Sequence, residues 1–244
     1  SRGLGDVYKR QDISDKPRFA WRGLMLDVSR HFFTKQEVKR FIDLMAEYKY
    51  NVFHWHLSDD QGWRVEIKSL PRLTDVGAWR APRVGNWWER EPQSVTDSLT
   101  YGGFYTQDDI REVVEYARER FITVVPEIDV PGHSMALLTA YPEISCTGGP
   151  FHVNVGNTFY TKEENSLCVG KEKTFAILDM IFDELVDLFP SSYIHIGGDE
   201  CYKGFWAKCP DCRARMSSKQ LQNVEELQSL SLIHISEPTR LRRI

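Results

Sequence analysis

Two neighbouring carboxylates, Asp199 and Glu200, close the segment YIHIGGDE, in which an apolar run ends in a pair of glycines. Carboxyl groups serve as general acids and bases when their surroundings tune their pKa values. The plainer alternative is that both residues are solvated loop charges. Because glycine permits close approach of the backbone to a ligand, Gly197 and Gly198 favour a site for chemistry.

Three further apolar runs also end in polar residues. Such runs are typical of buried parallel strands, which gather their ligands at their carboxyl ends. Unpaired charges are rarely buried, so we expect the residues that follow the runs to converge on one site: Arg30, His31, Asp59, Asp60, Asp129 and His133. Taken singly, Arg30 could pair with a nearby carboxylate and His133 could bond to turn backbone. Either Asp59 or Asp60 could cap a turn.

The elements that must position these residues are four predicted strands with helices between them. The strands are WRGLMLDV (21–28), NVFHWHLS (51–58), ITVVPEID (122–129) and YIHIGG (193–198). Thr34 and Glu37 form a capping-box pattern ahead of apolar residues at helical spacing, namely Val38, Phe41, Ile42, Met45 and Tyr48. Thr106 caps a second predicted helix, and KTFAILDMIFDELVDLF is the third.

This alternation predicts an α/β fold with parallel strands and right-handed helical crossovers, either an open sheet or a barrel. A Gly-rich phosphate turn does not follow the first predicted strand, which favours the barrel. A complete eightfold barrel takes about 250 residues, whereas only four predicted strands fit before residue 200. The sequence therefore predicts the first half of a (β/α)8 TIM-type barrel, truncated after about the fourth strand.

Composition excludes some classes of function. The 244 residues are 41% apolar and carry a net charge of -4, which supports a packed core without a basic surface for nucleic acid. No apolar run approaches the roughly 20 residues of a membrane span. Residues 1–11 and 230–244 join no pattern and resemble translated adapter sequence, although frayed termini are the alternative. We expect these to be non-native tails around one domain, residues 12–229.

Four segments stand in order along residues 17–228: FAWRGLMLDVSRHF, YKYNVFHWHLSDDQGWRVEIKSLPRL, VVPEIDVPGHS and HIGGDE. Together they resemble the motifs of family 20 glycoside hydrolases, the β-N-acetylhexosaminidases. The resemblance implies a (β/α)8 catalytic barrel without a cofactor, acting on glycans that end in N-acetylglucosamine or N-acetylgalactosamine. It also implies a secreted, periplasmic or lysosomal protein, although the first residues lack the apolar core of a signal peptide.

The resemblance assigns different roles to the paired carboxylates. Two carboxyl groups that cleave a glycosidic bond usually lie about 5 to 9.5 Å apart, whereas neighbouring Cα atoms are about 3.8 Å apart and extended neighbours point their side chains apart. In this family the 2-acetamido oxygen of the substrate attacks the anomeric carbon, giving an oxazolinium-type intermediate and net retention. Glu200 would be the general acid and base, and Asp199 would accept a hydrogen bond from the acetamido N–H.

Other motif positions carry further implied roles. Arg30 matches the arginine that holds ring hydroxyls of the terminal sugar, and Asp129 is grouped with it as substrate-binding. Asp59 and His133 match residues linked to the general acid, where they would tune the pKa of Glu200 and relay protons. The later strands of the family barrel would complete the sugar site. We therefore expect the full-length protein to be active and this truncated chain to be nearly inactive.

Two other functions are open. His54 and His56 lie two apart on a predicted strand and so face the same side. That arrangement suits the zinc site of a barrel metallohydrolase, with further ligands from His133, His195 or Asp199. The family resemblance favours a site without metal. The second alternative is a sugar-binding relative without catalysis, which the intact Asp199 and Glu200 disfavour for the full-length protein.

Five cysteines remain. Cys146 and Cys168 stand at places that resemble a disulfide pair in some family members, and such a bridge would indicate an oxidising compartment. Cys201, Cys209 and Cys212 lie close together in CYKGFWAKCPDC, where one CxxC with a single further cysteine is a weak indication of metal. We expect free thiols or one local disulfide there rather than zinc, with at least one thiol unpaired.

Overall fold

The computed structural model describes residues 14–86, 93–94, 96–156 and 163–236. Short connections alternate with helices and strands along the chain. In chain order the elements are β1 (Gly23–Asp27), α1 (Lys35–Glu47), β2 (Val52–Asp59), β3 (Gly62–Trp63), α2 (Arg72–Asp75), β4 (Trp79–Arg80), β5 (Tyr101–Gly102), α3 (Gln107–Arg118), β6 (Thr123–Ile128), α4 (Met135–Ala140), α5 (Glu172–Leu188), α6 (Pro210–Ser218) and α7 (Val224–Ser236).

Three parallel strands form the part of the sheet that positions the site. β2 lies in the middle, with Phe53 opposite Leu24 of β1 and opposite Val124 of β6. Helices α1 and α3 supply the crossovers between these strands, as in one sector of a (β/α)8 barrel. The predicted α/β fold with parallel strands is therefore confirmed.

The fourth predicted strand lies beside β6 but is not a regular strand. Three backbone hydrogen bonds of 2.9 to 3.1 Å hold it there: His195 donates to Pro126, Ile128 to His195, and Val130 to Ile196. Its one bridge joins Glu127 to His195. Gly197 and Gly198 then adopt φ values of 64° and 94°, a conformation that ends an extended strand. The segment 193–198 therefore has the predicted place in the sheet with less regular pairing.

The helices begin where their capping residues predicted. Thr34 and Glu37 form a reciprocal capping box at α1, and Thr106 and Asp109 form another at α3. Val38, Ile42 and Met45 are buried on the inner face of α1. Tyr48, which the helical spacing placed on that face, is 72% exposed. It follows the last residue of α1, so the helical period no longer directs its side chain inward.

Strand β2 separates the apolar core from the polar interior. Phe53, Trp55 and Leu57 are fully buried, and the Phe53 ring packs 5.7 Å from the Phe41 ring of α1. Because side chains alternate along a strand, His54 and His56 point to the opposite side, into what would be the barrel interior. The core between sheet and helices thus fixes the direction of the histidines.

Helix α7 extends past residue 229, the predicted end of the native domain. Ser231 is 1% exposed, and the ring of His234 lies 4.3 Å from that of Phe175 on α5. Of the predicted tails, residues 1–11 and 230–244, the parts 1–11 and 237–244 lie outside the described residues. No helix in the described ranges has both the length and the apolar character needed to cross a membrane.

The packing of α1 predicts a contrast between two residues on one helix. Ile42 is fully buried and Leu44 is 49% exposed. Ile42→Ala should lower the free energy of unfolding of this chain by about 2 to 5 kcal/mol, because it removes core contacts and leaves a cavity. Leu44→Ala should change it by less than about 0.5 kcal/mol. Urea unfolding followed by circular dichroism measures both, and equal effects would contradict the packing.

Candidate active site

The predicted site residues meet at the carboxyl ends of the parallel strands. Arg30 follows β1, and Asp59 ends β2. Asp129 and His133 follow β6, and Asp199 and Glu200 follow the edge segment 193–198. These six residues form one contiguous group through the contacts below. His31 points elsewhere, since its Nδ1 lies 2.8 Å from the Tyr101 hydroxyl on β5.

A line of three side chains runs inward from Glu200. Its Oε2 lies 3.3 Å from Nε2 of His133, and Nδ1 of the same ring lies 3.2 Å from Oδ1 of Asp59. The Glu200 side chain is 67% exposed, whereas those of His133 and Asp59 are 2% and 0% exposed. An accessible carboxylate thus connects through one imidazole to a fully buried carboxylate.

Asp59 is the anion on which several cations converge. Its Oδ2 lies 2.7 Å from Nη1 of Arg30 and 2.8 Å from Nε2 of His56. Burial alone would raise the pKa of Asp59, but hydrogen bonds from His133 and His56 and the charges of His133 and Arg30 lower it to about 2. Asp59 is therefore ionised at neutral pH and anchors the cations around it.

His133 is positively charged because two buried carboxylates, Asp59 and Asp60, lie beside its ring. Burial lowers the pKa of His133, yet contacts with Asp59 and Asp60 outweigh burial and raise it to about 11. Asp60 is fully buried, and burial raises its pKa. Its two oxygens accept the Met135 N–H at 3.0 Å and an Asn165 amide N–H at 3.1 Å. Asp60 thereby fixes the start of α4, the helix that follows His133.

The backbone at the contact between Glu200 and His133 is unusual. Both residues have positive φ, 43° and 47°, a region that costs non-glycine residues about 1 to 3 kcal/mol and that clusters at functional sites. Gly132 lets the two loops approach, because a Cβ there would lie 3.0 Å from the Asp199 carbonyl oxygen and 3.2 Å from the Cys201 Cα. The loop that carries His133 and the loop that carries Glu200 are therefore in close contact.

Asp129 and Asp199 lie beside His133. An oxygen of each and a nitrogen of His133 fall within 4.8 Å of one another. Asp129 is 4% exposed, and burial, with the Asp59 charge, raises its pKa to about 7 despite the nearby charge of His133. Its Oδ1 accepts the Gly198 N–H at 3.2 Å. A Cβ on Gly197 would lie 1.9 Å from that same oxygen, so the glycine pair allows Asp129 to reach the loop.

Sequence reasoning missed Glu127, which sits inside β6. Its Oε2 lies 2.6 Å from His54 Nε2 and 2.7 Å from His56 Nδ1, and its Oε1 lies 3.0 Å from His195 Nδ1. The prediction that the two β2 histidines face one side is therefore correct. His54, Glu127 and His195 lie close enough to hold a metal, but His133 and Asp199 belong to a different group with Asp129. The sequence did contain one indication of this role. Glu127 lies inside a predicted buried strand, and a buried carboxylate requires a charged partner.

Arg64 was also missed, and it fixes the loops that carry the site. It is fully buried, and its three nitrogens donate over 2.7 to 3.2 Å to five backbone carbonyls, those of Val28, Ser29, Gln61, Ala78 and Gly103. Burial, and the charge of Arg80, lower its pKa to about 10, so it remains a cation. The loop before Arg30 is thereby tied to the turn after Asp59.

The charge of Asp59 can be tested with Asp59→Asn, which keeps the size of the side chain. Removing the anion leaves Arg30, His56 and His133 without their shared partner, so the free energy of unfolding at pH 7 should fall by about 3 to 5 kcal/mol. The exposed control Asp75→Asn should change it by less than about 0.5 kcal/mol. Urea unfolding measures both, and equal losses would contradict the role of Asp59.

The same variant predicts a change in titration. The pKa of His133, about 11 in the folded chain, lies above the value of about 6.5 for unfolded histidine. Its contribution to stability is complete below about pH 6.5 and is lost as the pH rises through about 11. Asp59→Asn should lower the pKa of His133 in ring-nitrogen NMR. An unchanged titration would assign the charge of His133 to Asp60 instead.

Comparison with known proteins places the chain in a family. The model of the glycosyl hydrolase family 20 catalytic domain matches residues 19–241. A beta-hexosaminidase from Vibrio furnissii is 48% identical over 216 residues, covering 88% of this chain and 34% of that protein. One from Porphyromonas gingivalis is 45% identical over 218 residues, covering 89% and 26%. The chain thus spans about a quarter to a third of these relatives.

Solved structures agree in fold. An exo beta-N-acetylglucosaminidase from Vibrio harveyi, in complex with N-acetylglucosamine, has a TM-score of 0.75 and 42% identity, over 91% of this chain and 34% of that one. A mutant beta-hexosaminidase from Streptomyces plicatus, in complex with its product, has a TM-score of 0.68 and 40% identity, over 92% and 41%. The chain therefore belongs to glycosyl hydrolase family 20 and carries part of its catalytic domain.

Proposed function

We propose that the protein to which this chain belongs removes terminal β-linked N-acetylhexosamine residues from the non-reducing ends of glycans, with retention and with help from the acetamido group of the substrate. The observation that carries the proposal is the line from exposed Glu200 through His133 to buried Asp59. An accessible carboxylate backed by a fixed cation is suited to a proton donor that must become an anion during catalysis.

Glu200 is the proposed general acid and base. It protonates the departing glycosidic oxygen and becomes a carboxylate, which the charge of His133 at 3.3 Å stabilises. It then accepts a proton from the water that opens the oxazolinium-type intermediate. Because the pKa of His133 is about 11, the imidazolium keeps its proton at neutral pH. This favours a role of His133 as a fixed positive charge beside the Glu200 carboxylate over the relay of protons through His133.

Asp199 is the proposed partner of the acetamido group. Its exposed carboxylate accepts the acetamido N–H, so that the acetamido oxygen faces the anomeric carbon and the positive charge of the intermediate is stabilised. Asp129, whose pKa is raised to about 7, acts as a positioning residue. In its protonated form it places a neutral group rather than a second anion beside Asp199, which limits repulsion between the two.

Arg30 is the proposed contact to the ring hydroxyls of the terminal sugar. Its Nη1 is anchored by Asp27 at 3.0 Å and Asp59 at 2.7 Å, and 33% of its side chain is exposed. A guanidinium fixed at one nitrogen offers its remaining donors in a defined direction. The same anion, Asp59, therefore supports both the proposed sugar contact and the proposed acid.

The division of labour predicts different losses in the whole protein. Glu200→Gln should lower kcat/KM by about 100 to 10,000-fold for poor leaving groups, with a smaller loss for aryl glycosides whose phenol is acidic and needs no proton. Asp199→Asn should lower kcat/KM by about 100 to 1,000-fold for both kinds of leaving group. Glu47→Gln, at the exposed end of α1, is the control and should retain activity.

Steady-state assays with a series of aryl N-acetylglucosaminides measure these losses. Equal loss across the series in Glu200→Gln would contradict its role as acid. Hydrolysis by the unsubstituted protein of sugars with a plain 2-hydroxyl, as fast as of acetamido sugars, would contradict assistance by the substrate. Full activity in both variants would contradict the roles of Glu200 and Asp199, whereas an unsubstituted protein that binds the sugar without hydrolysing it would favour the sugar-binding role.

This chain alone should be nearly inactive on an aryl N-acetylglucosaminide. The chain spans 34% of its relative from Vibrio furnissii, and in a complete eightfold barrel the sugar site draws on the loops after all eight strands. The full-length protein, assayed beside it at equal concentration, is the reference. Turnover by the chain close to that of the full-length protein would overturn this expectation.

One observation favours a second function, that of a metallohydrolase. His54, Glu127 and His195 present ligand atoms within 4.8 Å of one another. Against this, Glu200, the accessible carboxylate, is not a member of that group. Stoichiometric zinc at this group, together with activity that chelators remove and zinc restores, would favour the metallohydrolase. Activity that survives chelation would support the glycosidase.

A further inference from the structure

Four of the five cysteines converge on one point of the fold, away from the Glu200 site. Cys146 and Cys168 lie in the connection between α4 and α5, whereas Cys209 and Cys212 flank the start of α6. Cys146 and Cys212 are 66 residues apart in sequence. Cys201, the fifth, lies outside the group. The sequence led us to expect free thiols or one local disulfide rather than zinc, because the spacing of a CxxC with one further cysteine does not reveal that Cys146 and Cys168 join the pair.

The distances between the sulfurs fit one tetrahedral ion. The Sγ atoms of Cys146 and Cys212 are 3.8 Å apart, and that of Cys168 is 3.6 Å from those of Cys209 and Cys212. All four sulfurs lie within 4.8 Å of one another. A tetrahedral zinc with Zn–S bonds of about 2.3 Å separates its sulfurs by about 3.8 Å. A disulfide would bring two of them to about 2.05 Å.

The surroundings hold the four thiols in place. Cys168 and Cys212 are fully buried, and Cys209 is 4% exposed. Gly170 permits the approach of the two segments, because a Cβ there would lie 2.3 Å from the Cys212 nitrogen. Glu164, itself 3% exposed, accepts the Cys146 N–H at 2.5 Å and so orders the most exposed member. Four cysteines, three of them buried and one partly buried, with no open position for a water, are the arrangement of a structural zinc site.

We propose that Cys146, Cys168, Cys209 and Cys212 bind one structural zinc ion as four thiolates. Binding releases the four thiol protons to solvent and changes no oxidation state. The Cys209-Pro-Asp-Cys212 turn supplies two ligands in the spacing that zinc sites commonly use. Cys212 lies in the first turn of α6, where the helix N-terminus favours negative charge.

The zinc would fix the loops of the proposed active site relative to each other. The segment just before Cys168 holds the His133 loop, since the Asn165 carbonyl accepts the Ser134 N–H at 2.8 Å and the Leu167 N–H donates to Pro131 at 2.8 Å. The Leu167 carbonyl accepts the Trp206 indole N–H at 2.8 Å, on the segment that follows Glu200. The four thiolates thus join the chain after His133 to the chain after Glu200.

The opposing possibility is a pair of disulfides. All five cysteines are free thiols in the structure, but oxidation could link Cys146 to Cys212 and Cys168 to Cys209. The disulfide between Cys146 and Cys168 that the family resemblance suggested is a further outcome. Zinc and disulfides make opposite predictions for metal content and for the number of reactive thiols.

The experiment is metal analysis of the chain expressed in zinc-containing medium and purified without chelator. Elemental analysis should give one zinc per chain, and titration of the thiols with a mercurial should release it. Cys168→Ala and Cys212→Ala should lose the zinc, whereas Cys201→Ala should retain it. A chain free of zinc with one or two disulfides by intact mass would overturn the proposal.

Cobalt keeps the test independent of whether the cysteine variants fold. The unsubstituted chain, stripped of zinc and titrated with Co²⁺, should show the visible bands of tetrahedral cobalt and sulfur-to-cobalt charge transfer, saturating at one ion per chain. Zinc should displace the cobalt. Absence of these bands from a chain whose circular dichroism matches the zinc form would overturn the proposal, as would equal loss of zinc in Cys201→Ala.

Discussion

The buried carboxylate of Asp59 is the interaction on which the rest of the site depends. Among the described residues, Asp59 is the one member of the site that contacts three strands' residues. It contacts Arg30 after β1, His56 within β2 and His133 after β6. A buried anion is costly unless cations and hydrogen bonds surround it. The three strand ends must therefore lie where their cations reach Asp59. One of these cations, His133, is thereby held in place beside Glu200.

The sequence predicted which residues would converge better than it predicted which residues support them. Asp59, His133 and Glu200 follow strand-like runs, and because parallel strands end at one edge, their convergence followed from topology. Glu127 was missed because apolar periodicity identifies the faces of a strand but not the partners of a charge within it. The positive φ of His133 and Glu200 was not predictable either, since tertiary contacts rather than local propensity impose it.

The fold shows the same division between local and distant information. Thr34 and Thr106 predicted the starts of two helices, because a capping box is satisfied within one turn of chain. The edge segment 193–198 was predicted as a full strand, yet pairing depends on neighbours that local sequence does not specify. The meeting of Cys146 with Cys212 is a further case, since these residues lie 66 positions apart in sequence and local sequence does not indicate that they pair.

Arg64 has a consequence for how such a domain can vary. Its guanidinium has five N–H donors, and five carbonyls from four stretches of chain accept them. Lysine, with three donors on a compact charge, cannot span that set. Insertions and deletions between β1 and α3 are therefore constrained to places where the stretches at Val28, Gln61, Ala78 and Gly103 still present their carbonyls to one point. A loop in this half of the barrel can therefore change its length only if these four stretches keep their hydrogen bonds to Arg64.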